Sequence, residues 1–186
     1  MKKLLSFCCA IAFAISCLSN DTSAQVLKVE PEKPKWGDTL KITYDSSAPG
    51  AAFTLNQRVS IEAMQIKSDY PLNLFIQPKP VPMLKTGKVL ICEVTVEDNV
   101  STIFLNASNP SVVSGGRFDK NATQRLVVYR QDGQPVKGAN LFQALGNKDY
   151  QVWIDKELAL YPDSYRAYQA KWQGIKSFYG AKFKTT

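Results

Sequence analysis

Short runs of alternating apolar and polar residues, separated by proline, glycine, asparagine and aspartate, extend from residue 26 to about residue 142. The run TLKITYD, residues 39–45, places Leu40, Ile42 and Tyr44 on one side and its polar residues on the other. Alternation with one apolar face is typical of half-buried antiparallel strands. This part of the chain is therefore predicted to be a succession of short strands.

The clearest neighbouring strands are KVLICEVTVED, residues 88–98, and STIFLNAS, residues 101–108. An Asp-Asn step joins them, so we predict that they pair as a hairpin. In RVSIEAMQIKS, residues 58–68, the alternation slips by one residue at Met64, which predicts a β-bulge. In residues 72–82 the apolar alternation of LNLFIQP runs into three prolines, which indicates an edge strand or a crossing loop.

A polar loop is expected over residues 109–124, followed by the strand RLVVYR, residues 125–130. Asp132 and Gly133 then have the composition of a tight turn. The returning strand of this second hairpin is expected to carry Val136, Ala139 and Leu141.

The number and spacing of these strands favour an immunoglobulin-like antiparallel β-sandwich over residues 25–150. The predicted core consists of the inward residues of the strands: Leu40, Ile42, Tyr44, Leu90, Val94, Val96, Leu126 and Val128. Cys92 is in phase with Leu90 and Val94, so we expect a buried, unreactive thiol. The fold class is thus mainly β, with a short helical segment at the C-terminal end.

The pattern changes to helical spacing after residue 150. One apolar stripe with this spacing contains Tyr165, Tyr168, Trp172, Ile175 and Tyr179. Asp163 or Ser164 is expected to begin this helix, and Gly180 to end it. Such a stripe either folds back on the sandwich or stays exposed as a docking face for a protein partner or a second copy of the chain.

The N-terminus has the pattern of a secretory signal peptide over residues 1–24. Two lysines precede an apolar run that is too short to span a bilayer, and small residues follow before Gln25. The remaining chain is expected to be exported to the periplasm or cell envelope, as a soluble protein with no transmembrane span. A rival cleavage before Cys17 would allow a lipid anchor, although Ala14 is a poor match to the bulky residue usual three places earlier.

The composition argues against catalysis. The sequence contains no histidine, which removes Ser-His-Asp and Cys-His nucleophiles and the commonest metal ligand. We therefore predict no enzyme activity, no catalytic or metal site and no cofactor. The formal charge is +7, but the lysines are scattered, so no nucleic-acid platform is predicted. After cleavage Cys92 is the remaining cysteine, which leaves no internal disulfide.

Three segments, EPEKPKWGDTLKITYDSSAPGAAF, LVVYRQDGQPVKGANL and YPDSYRAYQAKW, together resemble the N-terminal region of exported bacterial thioredoxin-family proteins of the TlpA type. The resemblance implies an immunoglobulin-like sandwich, a short tetratricopeptide-like helical segment, here residues 151–186, and then a thioredoxin domain. The Cys-x-x-Cys pair with which a thioredoxin domain does its chemistry has no counterpart in this sequence. No redox residue is therefore carried over.

Two functions follow as hypotheses. The first is a non-catalytic exported accessory or interaction module of the bacterial cell envelope, acting through the stripe of the C-terminal helix. The alternative is a ligand-binding sandwich of glycan type, in which Trp36, Trp153 or surface tyrosines serve as stacking platforms.

Overall fold

A computed structural model describes residues 25–68, 78–112, 117–144 and 147–182, with side chains described as far as residue 174 in the last range. The predicted signal peptide, including Cys17, and the predicted strand residues 72–76 lie outside this part of the chain. Their structure therefore stays a prediction.

The described strands form two antiparallel sheets of four strands each. The first sheet has the order β1 (Leu27–Glu30), β2 (Thr39–Tyr44), β6 (Val89–Thr95) and β5 (Leu84–Thr86). The second has the order β4 (Lys79–Pro82), β3 (Ser60–Lys67), β7 (Val100–Ser108) and β8 (Phe118–Val127). Three helices follow: α1 (Ala139–Ala144), α2 (Tyr150–Leu160) and α3 (Tyr165–Lys182).

The mainly β class and the C-terminal helices agree with the sequence, while the immunoglobulin-like topology stays a prediction. The first helix begins at Ala139, before the boundary expected at residue 151. The prolines of residues 79–82 lie in β4, which is an edge strand. Of the two predictions for this segment, an edge strand or a crossing loop, the first is therefore correct.

The two sheets enclose one apolar core. Seven of the eight predicted core residues are buried, and Leu126 is partly buried and packs against the same cluster. The prediction of which residues of β2 and β6 face the core is therefore confirmed. Burial of each such side chain is worth about 1.5–3 kcal/mol.

A buried polar contact fastens the two sheets together. The Tyr44 hydroxyl, from β2, donates to Asp119 Oδ2 of β8 at 2.7 Å. The backbone N–H groups of Ala52 and Asn121 donate to the same carboxylate at 2.8 and 2.9 Å, and that of Phe53 donates to the Tyr44 oxygen at 2.9 Å. Burial and the bond to Asp119 raise the pKa of Tyr44 above its usual range. Every polar atom of this link has a partner, which is what makes a carboxylate tolerable in a core.

Helix α1 lies on the outer face of the second sheet and forms a third layer. Thr102 of β7 donates to the carbonyl of Ala139 at 3.4 Å. Arg125 of β8 stacks on Phe104 at 4.6 Å and donates to the carbonyls of Phe142 and Gln143 at 3.3 and 3.2 Å. Helix α1 therefore covers part of the outer face of β7 and β8.

Burial on both faces of β3 explains why the predicted bulge was misplaced. Strand β3 pairs with β7 without interruption from Ser60 to Ile66, and the register shifts after Ile66 rather than at Met64. Ile61 points into the core, whereas Ile66 is buried on the opposite face, at 5% exposure. A strand covered on both faces has apolar residues in both phases, and in the sequence this looks like a slip.

The hairpin predicted for residues 88–98 and 101–108 is wrong, because β6 and β7 belong to different sheets. The chain crosses between the sheets at Asn99, whose φ of 63° lies in the left-handed region. The backbone N–H of Ser68 donates to the Asn99 carbonyl at 2.8 Å and holds the crossing against the end of β3. An Asp-Asn step thus marks a sharp change of direction without showing which strands pair.

Two other local predictions are corrected. Residues 109–124 were expected to form a loop, but strand β8 begins at Phe118. One of its inward positions is the polar Asp119, so the apolar alternation that marks a strand is absent there. The Asp-Gly turn forms, with Gly133 at a φ of 81°, but the segment that leaves it becomes helix α1. Ala139 and Leu141 are therefore helical residues, and of the predicted returning strand a single bridge, Tyr129 with Pro135, is present.

The Glu157 carboxylate joins α2 to the start of α1. Glu157 is fully buried, and its two oxygens accept hydrogen bonds from the backbone N–H groups of Gly138, at 2.6 Å, and Asn140, at 3.3 Å. The first N–H groups of a helix have no partner within the helix, so a carboxylate there satisfies them and complements the helix dipole. Burial raises the pKa of Glu157.

Helix α3 packs on α2 through its small residues. Ala167 is fully buried in a second cluster that includes Leu141 of α1 and Ile154 of α2. The helix begins after Ser164, as predicted, and continues past Gly180 to Lys182, so the predicted end was wrong.

We predict that Tyr44→Phe destabilises the fold by about 1–3 kcal/mol, because the Asp119 carboxylate and the Phe53 N–H each lose a buried partner. Urea unfolding followed by circular dichroism measures this. The exposed Tyr168→Phe is the matched control, with an expected change below about 0.5 kcal/mol. Equal stability of Tyr44→Phe and wild type would contradict the cross-sheet role of the hydroxyl.

We predict that Glu157→Gln costs about 1–3 kcal/mol at neutral pH, since an amide offers one acceptor oxygen where the carboxylate offers two. The folded pKa of Glu157 lies above its ordinary value of 4.5, so the folded state binds the proton more readily. The wild type should therefore gain stability relative to the variant as pH falls through the raised pKa, and the gain should level off below 4.5.

Unfolding free energies of both proteins across this pH range test the Glu157 prediction. Glu93→Gln, at an exposed position on β6, is the control and should follow the wild type. A stability difference between wild type and Glu157→Gln that shrinks as pH falls would show that the carboxylate titrates in the opposite sense.

Candidate functional site

A cleft of about 640 Å³ opens where one end of the sheets meets the helices, and we call it the junction cleft. Its volume lies within the range usual for small-molecule sites, about 300–1,000 Å³. It is lined by Trp36, Ser68, Asn99, Tyr129, Arg130, Gln131, Asp132, Val136, Lys137 and Tyr161.

The first wall of the cleft is Trp36, in the turn before β2. Its indole N–H donates to the Val100 carbonyl at 2.7 Å, and 41% of the residue remains exposed. The turn is braced because Asp38 accepts from the Lys35 N–H at 2.8 Å, while Gly37 donates to Val96 at 2.9 Å. The result is an aromatic ring that is both fixed and accessible.

The opposite wall is built by the Asp-Gly hairpin and the residue that follows α2. The Tyr129 N–H donates to the Pro34 carbonyl at 2.8 Å, which ties the hairpin to the Trp36 turn. The Tyr161 hydroxyl donates to the Pro135 carbonyl at 2.7 Å, which ties the same hairpin to the helices. The hairpin thus positions two of the three aromatic residues that line the cleft.

The charges around the cleft are paired. Arg130 lies 3.1 Å from Asp132, and Lys137 lies 2.8 Å from Asp163. The Tyr161 side chain and Asp132 raise the pKa of Arg130, and Lys137 lowers the pKa of Asp163. Among the described lining residues Asp132 is the one carboxylate.

The predicted stripe of the C-terminal helix lies on the outer face of α3. Tyr165, Tyr168 and Trp172 are 76%, 53% and 59% exposed. The backbone at Ile175 and Tyr179 is helical, and their side chains lie outside the described part. Where it is described, the stripe points to solvent, because the opposite face of the helix packs on α2. We call the three described residues, Tyr165, Tyr168 and Trp172, the α3 outer face.

The other proposed stacking platform, Trp153, is not accessible in the same way. It packs against the helical cluster, and the Lys156 ammonium lies 4.3 Å above its ring. Sequence reasoning singled out Trp36 but missed Tyr129 and Tyr161 as cleft residues. The available signal was the Asp-Gly hairpin itself, because residues at the base of a hairpin lie close to whatever element packs against that hairpin.

Cys92 is a free, buried thiol on β6, opposite Ile42 of β2. Burial raises its pKa to about 12. Within the described ranges, no three histidine, cysteine, aspartate or glutamate residues come together as a metal site would require. No helix in those ranges is both long and apolar enough to cross a membrane.

Comparison with known proteins gives no family for this chain. No family model matches it, and neither a curated protein nor a solved structure shows significant similarity.

We predict that Cys92 resists thiol reagents in the native protein, because a buried thiol of raised pKa forms almost no thiolate. Labelling with a chromogenic disulfide should be slow in buffer and rapid in urea. Native labelling at the rate of an exposed cysteine would contradict this assignment.

Proposed function

We propose that this chain is a non-catalytic, exported accessory or interaction module of the bacterial cell envelope, and that it binds an acidic helix of a partner protein through the α3 outer face. The observation that carries the proposal is the exposure of Tyr165, Tyr168 and Trp172 on a helix whose other face is anchored. The leader-like residues 1–24 and the resemblance to exported thioredoxin-family proteins support the location.

The spacing of the α3 outer face favours a helix as the partner. The predicted stripe continues from this face to Ile175 and Tyr179. Its members follow one another in the sequence at intervals of three, four, three and four positions, which is the spacing of a helix-on-helix seam. At a rise of 1.5 Å per residue the line is about 21 Å long. Tyrosine and tryptophan are also the residues that most often dominate the energy of a protein interface.

Charge complementarity favours an acidic partner over a second copy of the chain. Residues 165–186 contain no aspartate or glutamate. The same residues include five cations: Arg166, Lys171, Lys176, Lys182 and Lys184. Arg166 and Lys171 are engaged within the chain, so the excess positive charge of this segment comes from its other three lysines. Two such segments would repel one another, whereas an acidic helix would be attracted and oriented.

The α3 outer face is held in place before any partner arrives. Arg166 donates to the Ser68 carbonyl at 2.7 Å, which ties α3 to the end of β3. Lys171 pairs with Asp155 of α2 at 2.9 Å. Because these contacts hold the helix on the rest of the fold, its backbone is already ordered before binding, and the ordering cost is limited to the exposed side chains.

The test uses a synthetic amphipathic peptide with leucine at its seam positions and glutamate beside them. We expect the full chain to bind this peptide and not the same peptide with lysine in place of glutamate. The double variant Tyr168→Ser/Trp172→Ser should lower the affinity about tenfold or more, because it removes two aromatic anchors. Fluorescence anisotropy of the labelled peptide measures the affinity.

Leu84→Ser, at a 72% exposed apolar position on β5, is the matched control and should bind the peptide as the wild type does. The double variant should also keep the wild-type thermal midpoint, since its side chains face solvent. Binding that survives the double substitution, or binding to anionic vesicles in place of the acidic peptide, would contradict the proposal.

A further inference from the structure

We propose that the junction cleft is a second binding site and that it takes a neutral saccharide, with the face of Trp36 stacked on the C–H face of a sugar ring. The site is separate from the α3 outer face and does not depend on it. Three features of the cleft carry this inference.

The first feature is the state of the Trp36 ring. A large aromatic surface that is 41% exposed is normally mobile, yet this ring is fixed by the 2.7 Å bond from its N–H to the Val100 carbonyl. The bond also satisfies the polar atom of the indole, which leaves the ring face for apolar contact. A preorganised aromatic platform lowers the entropy cost of binding a rigid flat ligand.

The second feature is a pair of polar side chains in the lining, Asn99 and Gln131. The side-chain amide of Asn99 makes no hydrogen bond to any described residue, although its backbone is held in place by Ser68 at 2.8 Å. The Gln131 amide oxygen accepts a long contact of 3.4 Å from Lys35, so its amide nitrogen remains available. Amides that both donate and accept are suited to hydroxyl groups, which do the same.

The third feature is the charge balance. Arg130 and Lys137 are the cations of the lining, and each already faces a carboxylate, Asp132 or Asp163. These two cations and two carboxylates sum to zero net charge, so the cleft offers an anionic ligand no excess positive charge. A neutral polyhydroxyl ligand can instead hydrogen-bond to the paired groups as they stand.

The test titrates the full chain with neutral trisaccharides of glucose, xylose and N-acetylglucosamine, and with an anionic uronic-acid trisaccharide for comparison. We expect at least one neutral sugar to bind with a Kd below about 10 mM, which is a usual strength for one stacked ring and a few hydrogen bonds. In two-dimensional NMR the indole N–H signal of Trp36 should shift, and those of Trp153 and Trp172 should not. This readout needs no variant and therefore no assumption about folding.

Variants then assign the contacts. Trp36→Ala should weaken binding about tenfold. Gln131→Ala, on the exposed hairpin, should weaken it less and leave the thermal midpoint unchanged. Trp172→Ala is the matched control. It should bind sugar normally while losing affinity for the acidic peptide, so one proposal can be refuted without affecting the other. Binding by no neutral sugar, binding by the anionic sugar alone, or a shift of Trp172 without Trp36 would overturn the inference.

Discussion

The contact on which the arrangement of the C-terminal half depends is the one between the Glu157 carboxylate and the first N–H groups of α1. Gly138, with a φ of 90°, turns the chain out of the Asp-Gly hairpin, and α1 begins directly after it. The 2.6 Å bond from Glu157 fixes that turn from the side of α2. Because α1 also lies on the second sheet, one buried carboxylate sets how α2, and through it α3, stands on the sandwich.

Both proposed binding surfaces follow from this arrangement. Anchoring of the inner face of α3 leaves its aromatic residues outside, and the end of α2 places Tyr161 against the hairpin at the cleft. The Asp-Gly hairpin therefore does more than close a sheet: it connects the Trp36 turn to the helices. Both surfaces present aromatic residues on an anchored backbone, and the two binding proposals rest on these residues.

The alternation of apolar residues correctly predicted the strands that are buried on one face. It mispredicted the strands in which buried residues occur in both phases. Leu40, Ile42 and Leu90 alternate cleanly, since their strands are half buried, and their positions were correct. In β3 burial on both faces disturbs the alternation, and in β8 the buried Asp119 does so. A bulge and a loop were therefore predicted instead. The stripe of α3 was visible from its spacing. The cleft was not, because its walls come from segments nearly a hundred residues apart in the chain, such as Trp36 and Tyr129.

Hydrogen exchange followed residue by residue tests most directly whether the helices and sheets are one unit joined at Glu157. In the wild type the amides of Gly138, Asn140 and the core of α2 should exchange as slowly as those of β7, because they open with the sheets. In Glu157→Ala the helical amides should exchange much faster while those of β2 and β6 stay protected. Fast exchange of the helices in the wild type, or unchanged protection in the variant, would contradict this account.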